Sequence, residues 1–350
     1  MSIYRDSKRI VGTNTQRIGA DAISGGWKEL GRISGSRTIN NSLTVSSLAD
    51  KRYYMILGES QGGATYTNDI RFNADSGSNY SIRQSVNGGT DGAYASQTFM
   101  NFDGTGSDTD KFGVGYIANL STKEKLYQSH VVQRGSAGAS NDPKRGEFAG
   151  KWANTSNAIN SISMLNRGSG TSSGGELVVL GYDPDDTHTD NFWEQLVSDE
   201  ASGSVASLES GTISAKKYLW IQCYISGTSA STFCETVFNN DTGSNYGSRG
   251  NQNGGTDFTR TSQSDLNMFE SYSNTTGAFL NAFIINNSSN AKLGISHSVR
   301  EGTSGAGNAP ERDEVVFKWA NTSSQITDIS FTPQSGTINS GSFLKVWGSN

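Results

Sequence analysis

Proline is scarce in this 350-residue chain, with 4 in all, and cysteine and histidine are scarcer still, at 2 and 3. So little proline argues that the polar stretches between apolar runs are turns rather than stiff linkers. Charge is sparse too: Asp, Glu, Lys and Arg make up 17% of the residues, and the net charge is −5. That balance gives no general pull toward nucleic acid or an anionic membrane, so neither is expected as a partner. No apolar run approaches the length needed to span a bilayer. The opening residues Met1-Ser2-Ile3-Tyr4-Arg5-Asp6 contain no hydrophobic segment of the secretory-signal type. P-loop, HExxH and CxxC patterns are all missing, and with them the common signs of nucleotide and zinc chemistry.

Ser, Thr, Asn and Gly fill the space, Gly alone with 42 residues. Such a composition can mark disorder, but 10% aromatics, low net charge and clustered apolar residues argue for a packed core. The chain also repeats itself. Lys151-Trp152-Ala153-Asn154-Thr155-Ser156 returns 167 positions later as Lys318-Trp319-Ala320-Asn321-Thr322-Ser323. Asp75-Ser76-Gly77-Ser78-Asn79-Tyr80 and Asn87-Gly88-Gly89-Thr90-Asp91 return at Asp241 and Asn253, each 166 positions on. Matches in one order at nearly one offset identify a tandem duplication. The expected organisation is an N-terminal arm over 1–22, repeat one over 23–183, a polar linker over 184–189 and repeat two over 190–350. The last matched residue is the final one, so the chain is expected to stop where a domain stops.

Within each repeat the apolar runs are short, rich in aromatic and β-branched residues, and bounded by Gly, Asn, Asp and Ser, as strands are. Tyr53–Leu57 and Tyr218–Ile225 are apolar on both faces, as in a central strand covered on both sides. In the closing strands Leu177, Val179, Leu344 and Val346 are expected to point inward. Their neighbours Glu176 and Lys345 mark the other face as lying outside deep core. The segment from Asn191 to Glu200 could start a helix, but its partner in repeat one breaks at Gly31. The expected fold is all-β: two tandem antiparallel β-sandwich domains, jelly-roll-like, from the internal duplication.

Candidate chemistry reads as structure. His130 and His297 occupy matched positions after Ser129 and Ser296, but adjacent strand residues face opposite ways, which argues against a Ser–His pair. A strand histidine with a structural hydrogen bond is expected. Asp75 and Asp241 sit in turn-forming sequence, and one carboxylate with a few amides falls short of a calcium loop. Asp183, Asp185, Asp186, His188 and Asp190 read as a solvated acidic linker rather than a metal cluster. The six tryptophans invite a sugar-stacking reading, but the matched pairs Trp27/Trp193 and Trp152/Trp319, with Trp220 and Trp347, read first as core. Cys223 and Cys234 have Gly58 and Asn68 as counterparts, so the fold does not require them. They face each other across a hairpin in this reading, and whether they pair stays open, since the chain reads as made where thiols stay reduced. No catalytic, cofactor or metal residue is assigned, and the chain is not expected to be an enzyme.

The run Arg71 to Tyr80, then Asn-Gly-Gly-Thr-Asp, then Trp-Ala-Asn-Thr-Ser-x-x-Ile-x-x-Ile, then Gly341 to Gly348 together resemble a group of phage structural domains common in tailed viruses of marine bacteria. The resemblance covers both repeats but not the arm. It implies a jelly-roll-like virion protein on the particle exterior, in capsid decoration or in a tail or fibre, with no shared catalytic residues. Other virion proteins are then the expected partners, the virion the expected location, and a homo-oligomer the expected state. The arm, with Arg5, Lys8, Arg9 and Arg17, is expected to tether it. The alternatives are a glycan-binding adhesion protein, which would take a host surface glycan, and a subunit of a cell-surface filament.

Overall fold

A computed structural model describes residues 26–63, 65–103, 110–184, 186, 191–269, 276–303 and 305–350, with the backbone alone of 3–5 and 8–11. Among the described residues every regular element is a strand. Ile3–Arg5 (β1) and Lys8–Val11 (β2) pair as a ribbon within the arm, whose other features lie outside the described residues. Each repeat then folds as an antiparallel β-sandwich.

In the first domain an eight-stranded sheet runs in the order Lys28–Ser34 (β3), Gly174–Tyr182 (β14), Tyr53–Gln61 (β5), Lys111–Ala118 (β10), Lys125–Gln133 (β11), Lys144–Trp152 (β12), Tyr80–Val86 (β7) and Gly92–Gln97 (β8). Ser42–Ser46 (β4), Ser161–Leu165 (β13), Asp69–Phe72 (β6) and Met100–Asn101 (β9) form the second sheet. The second domain repeats this plan. Its eight strands are Glu194–Glu200 (β15), Phe343–Ser349 (β25), Tyr218–Ile225 (β17), Ala278–Ile285 (β21), Lys292–Arg300 (β22), Glu311–Trp319 (β23), Tyr246–Gln252 (β19) and Phe258–Gln263 (β20). Leu208–Glu209 (β16), Ile329–Pro333 (β24) and Cys234–Phe238 (β18) back them. In both domains the first and last strands pair, β3 with β14 and β15 with β25. The segment from Asn191 to Glu200 therefore carries a strand, Glu194–Glu200, rather than a helix.

Alternation along the strands fills the sandwich interiors. Tyr54, Ile56, Leu177 and Val179 point into the first domain's core, and Leu219, Ile221, Leu344 and Val346 into the second's. Each such side chain stabilises by roughly 1.5–3 kcal/mol. The other face corrects the sequence reading. Glu176, Val178 and Leu180 are buried as well, because the two large sheets pack against each other and share a third core. Met55, Leu57, Phe112, Val114, Val178 and Leu180 meet Trp193, Tyr218, Phe283, Ile295 and Trp347 there. The molecule is thus four layers deep, and Trp347, flanked by the half-buried Trp220, belongs to the domain seam rather than to a sandwich interior.

The repeated motifs form one device, built twice. Asp75 accepts hydrogen bonds from the Gly77 N–H at 2.8 Å and from Asn79, which shapes the turn, and from Trp152 Nε1 at 2.7 Å. Asp241 takes the same bonds from Gly243, Asn245 and Trp319, the last again at 2.7 Å. Tyr80 stacks on Trp152, and Tyr246 on Trp319. Lys125 and Lys292 lie over the same indoles. These carboxylates are held below the usual range, despite some desolvation, by the hydrogen bonds they accept. They are spoken for as turn locks. Asn87 and Gly88 both take positive φ (51° and 67°), as do Asn253 and Gly254 (54° and 72°), at the centre of tight turns closed by Gly89 N–H to the Val86 carbonyl and Gly255 N–H to the Gln252 carbonyl, the backbone that Asn-Gly favours.

Candidate binding cleft at the domain seam

One half of the seam is closed by charge as well as by apolar packing. Glu59 and Glu176 lie opposite each other on β5 and β14, and the Lys217 ammonium of the second domain reaches both at 3.0 Å. Tyr218 Oη donates to Glu176 at 3.2 Å. At the far side Arg145 pairs with Glu147 on its own strand, with Glu314 at 3.1 Å and with Asp257 at 2.7 Å. Lys318 crosses in the other direction, donating to the carbonyls of Arg134 and Ser136 at 3.1 and 2.9 Å. Between these clamps the matched histidines meet: the His130 and His297 rings lie 4.3 Å apart, centre to centre. Burial pushes the His130 pKa down to about 3, helped by the neighbouring His297, and burial lowers that of His297 as well.

The opposite half of the seam is open. Exact equivalents differ in cover: Tyr53 is 41% exposed and Tyr218 0%, Leu126 58% and Leu293 1%, Val299 43% and Val132 0%. The first domain therefore uses one end of its large sheet to hold the second domain. The end that corresponds to the second domain's docking surface is left uncovered. There Trp27, Tyr53, Tyr116, Tyr182, Leu126 and Gln128 line a cavity of about 360 Å³. Trp27 sits just before β3, and its carbonyl accepts the Phe192 N–H at 2.9 Å. The Trp27 ring lies 6.4 Å from that of Tyr116 and 5.7 Å from that of Tyr182, tilted by 56° and 49°. Tyr53 follows 6.3 Å from Tyr182. The result is a curved aromatic wall rather than a flat stack.

The residues singled out from sequence scatter around this cleft rather than forming it. Ser129 points into the first sandwich, where Tyr127 Oη lies 2.7 Å from its hydroxyl, while His130 points into the seam, so the two do not cooperate. The histidine role is a ring contact between copies, in place of the expected structural hydrogen bond. Asp186 pairs with Lys51 at 2.6 Å; Asp185, His188 and Asp190 lie outside the described residues. No cluster suited to a metal occurs among the described residues. Cys223 and Cys234 are free and buried in the second core, one in each sheet. The hairpin expectation fails because the chain crosses between sheets after Ile225. Trp152, Trp193 and Trp319 are buried, but Trp27 is only half-buried and belongs to the cleft wall. Tyr53, Tyr116 and Tyr182 were passed over. Aligning the outward positions of the two copies would have flagged Tyr116 and Tyr182, which stand opposite Phe283 and Ser349, and Gln128, opposite Ile295, but not Tyr53, whose match is Tyr218.

No protein-family model matches this chain, and no curated protein does. Solved structures give faint likenesses. Domains LG4-5 of the mouse laminin alpha1 chain align over 91% of this chain and 89% of theirs, with 11% identity and a TM-score of 0.20. The attachment invasion locus protein Ail of Yersinia pestis aligns over 77% and 99%, with 7% identity and a TM-score of 0.14. A turret protein of Sulfolobus turreted icosahedral virus aligns over 91% and 96%, with 10% identity and a TM-score of 0.13. At these scores the likenesses assign nothing to this chain.

Proposed function

We propose that this protein is a non-enzymatic structural component of a virion exterior, a capsid decoration protein or a part of a tail or fibre. The observation that carries the reading is the seam. Two sandwiches share a third apolar core, bracketed by the Lys217 and Arg145 ion pairs, and so act as one stiff block. A block of this kind suits a protein that must hold its shape while many copies on a particle contribute weak contacts together. The repeated motif serves the fold, as its turn locks show, which fits a chain selected for form. The arm ahead of the first sandwich is the tether in this reading, ordering against other virion proteins or a neighbouring copy on assembly.

The test is removal of residues 1–20. The shortened chain should keep its β-sheet circular dichroism and its cooperative unfolding, yet be missing from purified particles in which the intact chain is abundant. Normal incorporation would overturn the tether, and absence of the intact chain from particles would overturn the virion reading itself.

A further inference from the structure

We propose that the open half of the seam is a binding site for an uncharged sugar ring, seated against Trp27, Tyr53, Tyr116 and Tyr182. The inference is independent of the virion reading, since any extracellular or particle-borne protein could use such a site. It starts from the duplication. The positions that line this cleft are the ones by which the second domain docks: Trp193, Tyr218, Phe283, Leu293 and Ile295 are all buried against the first domain. In the first copy the same positions keep a concave aromatic surface that no described residue of the second domain lines.

Three observations choose the occupant. First, none of the ten residues lining the cavity is charged. The hydroxyls of Tyr54 and Tyr127 are bonded within the first core, and the Tyr53 and Tyr116 hydroxyls and the Gln128 amide are the polar groups of the wall, so the ligand is neutral and can exchange hydrogen bonds. Second, three positions of the open surface differ in a way that suits a ligand. Where the covered surface has Phe283, Ser349 and Ile295, the open one has Tyr116, Tyr182 and Gln128. These exchanges add a hydroxyl, a ring and an amide, and Ala118 in place of Ile285 leaves more space. Aromatic faces that carry hydroxyls at their edges suit a pyranose, which has an apolar C–H face and an equatorial belt of hydroxyls. Third, a protein sheet is a poor fit. The apolar end that would match this surface, with Met55, Leu57, Phe112 and Val114, is already occupied by the second domain within each chain. Its counterpart in the second domain has Gln222, Asn281 and Lys345 where the first has Leu57, Val114 and Val178, so a second copy has no equivalent apolar face to offer. The cavity volume, about 360 Å³, lies at the small end of ligand sites, which run from about 300 to 1,000 Å³.

The experiment titrates the full chain with a panel of neutral mono- and disaccharides of glucose, galactose, mannose and N-acetylglucosamine. Calorimetry and saturation-transfer NMR read the binding. Tyr182→Ser and Gln128→Ile are the test variants, because the fold already carries Ser349 and Ile295 at the matched positions. At least one sugar should bind saturably, with Kd near or below about 1 mM, through its ring protons. Tyr182→Ser should weaken that binding by about tenfold or more with unfolding midpoints unchanged. The proposal falls if no sugar in the panel saturates, or if binding is equal in the wild type and both variants. It also falls if the intact chain self-associates and Leu126→Ser dissociates it, since the surface would then be a contact between copies.

Discussion

The two domains share a frame and differ in what fills it. Near one end of the first sandwich Arg37, Ser60, Asn68, Asp103 and Lys111 are all buried. Lys111 Nζ meets Asp103 at 2.7 Å, and Arg37 bonds Asn68 at 2.6 Å and also Ser60. At the matched places the second domain has Val205, Ile225, Cys234, Phe269 and Ala278. The strand order of the large sheets is the same in both. The frame is therefore indifferent to whether this space is filled by charge or by hydrocarbon. The polar filling is the costlier one, because three ions, Arg37, Asp103 and Lys111, have lost their water, and Asp103 Oδ1, Arg37 Nε and Asn68 Nδ2 find no hydrogen-bond partner among the described residues.

That comparison can be broken by exchange. Asp103→Ala leaves the buried Lys111 without its carboxylate and should cost about 3–5 kcal/mol in urea unfolding. The five-residue exchange Arg37→Val, Ser60→Ile, Asn68→Cys, Asp103→Phe and Lys111→Ala removes both partners at once and copies a filling that already works. It should cost less than the single change. If it costs more, the polar cluster is holding the first domain together and the equivalence of the two fillings is wrong.

The two halves of the seam differ in the same testable way. Lys217 stands between Glu59 and Glu176, and its removal leaves two buried carboxylates face to face. Lys217→Met should cost about 3 kcal/mol. Arg52 occupies the matched position at the open half and is exposed. Arg52→Met should stay within about 0.5 kcal/mol. Equal costs, read from the same unfolding curves, would mean that the seam closes at both ends in solution.

How much of this was legible in the sequence follows from where each contact comes from. The duplication, the alternation of Leu177 and Val179, the Asn-Gly hairpins and the turn around Asp75 are local or copied, and all could be read. The seam could not. Glu176 looks like a solvent residue along its strand, and its burial rests on Lys217 and Tyr218 from another domain together with Ser34 and Arg32 of the neighbouring strand. The cysteines were placed across a hairpin because they are close in sequence, which carries no information about a crossing between sheets. The cleft needed a further fact, namely which half of a pseudo-symmetric contact is made, and no motif in either copy states that.

The histidine pair offers the smallest effect and the finest probe of the closed half. His130 and His297 are held neutral in the folded protein, His130 with its pKa near 3, whereas an unfolded histidine titrates near about 6.5. As pH falls below about 6.5 the unfolded chain takes up protons that the folded seam refuses, so stability is lost with falling pH and the loss levels off as His130 itself protonates near 3. At pH 5.5, one unit into that window, His130 should account for about 1.4 kcal/mol, and His297 adds to it with the same sign. Glu314, Glu147, Arg145 and Arg312 face or surround the pair; Glu314 favours its protonation and the two arginines oppose it. Asp69, raised by burial to about 6, contributes with the opposite sign between its unfolded value and pH 6. It lies inside the first sandwich, so it cancels when the wild type is compared with a His130→Leu, His297→Leu double variant. The wild type should lose stability relative to that variant between pH 7 and 5.5. Parallel curves would show that the two rings are wet, and that the domains meet less closely at the centre of the seam than at its Lys217 clamp.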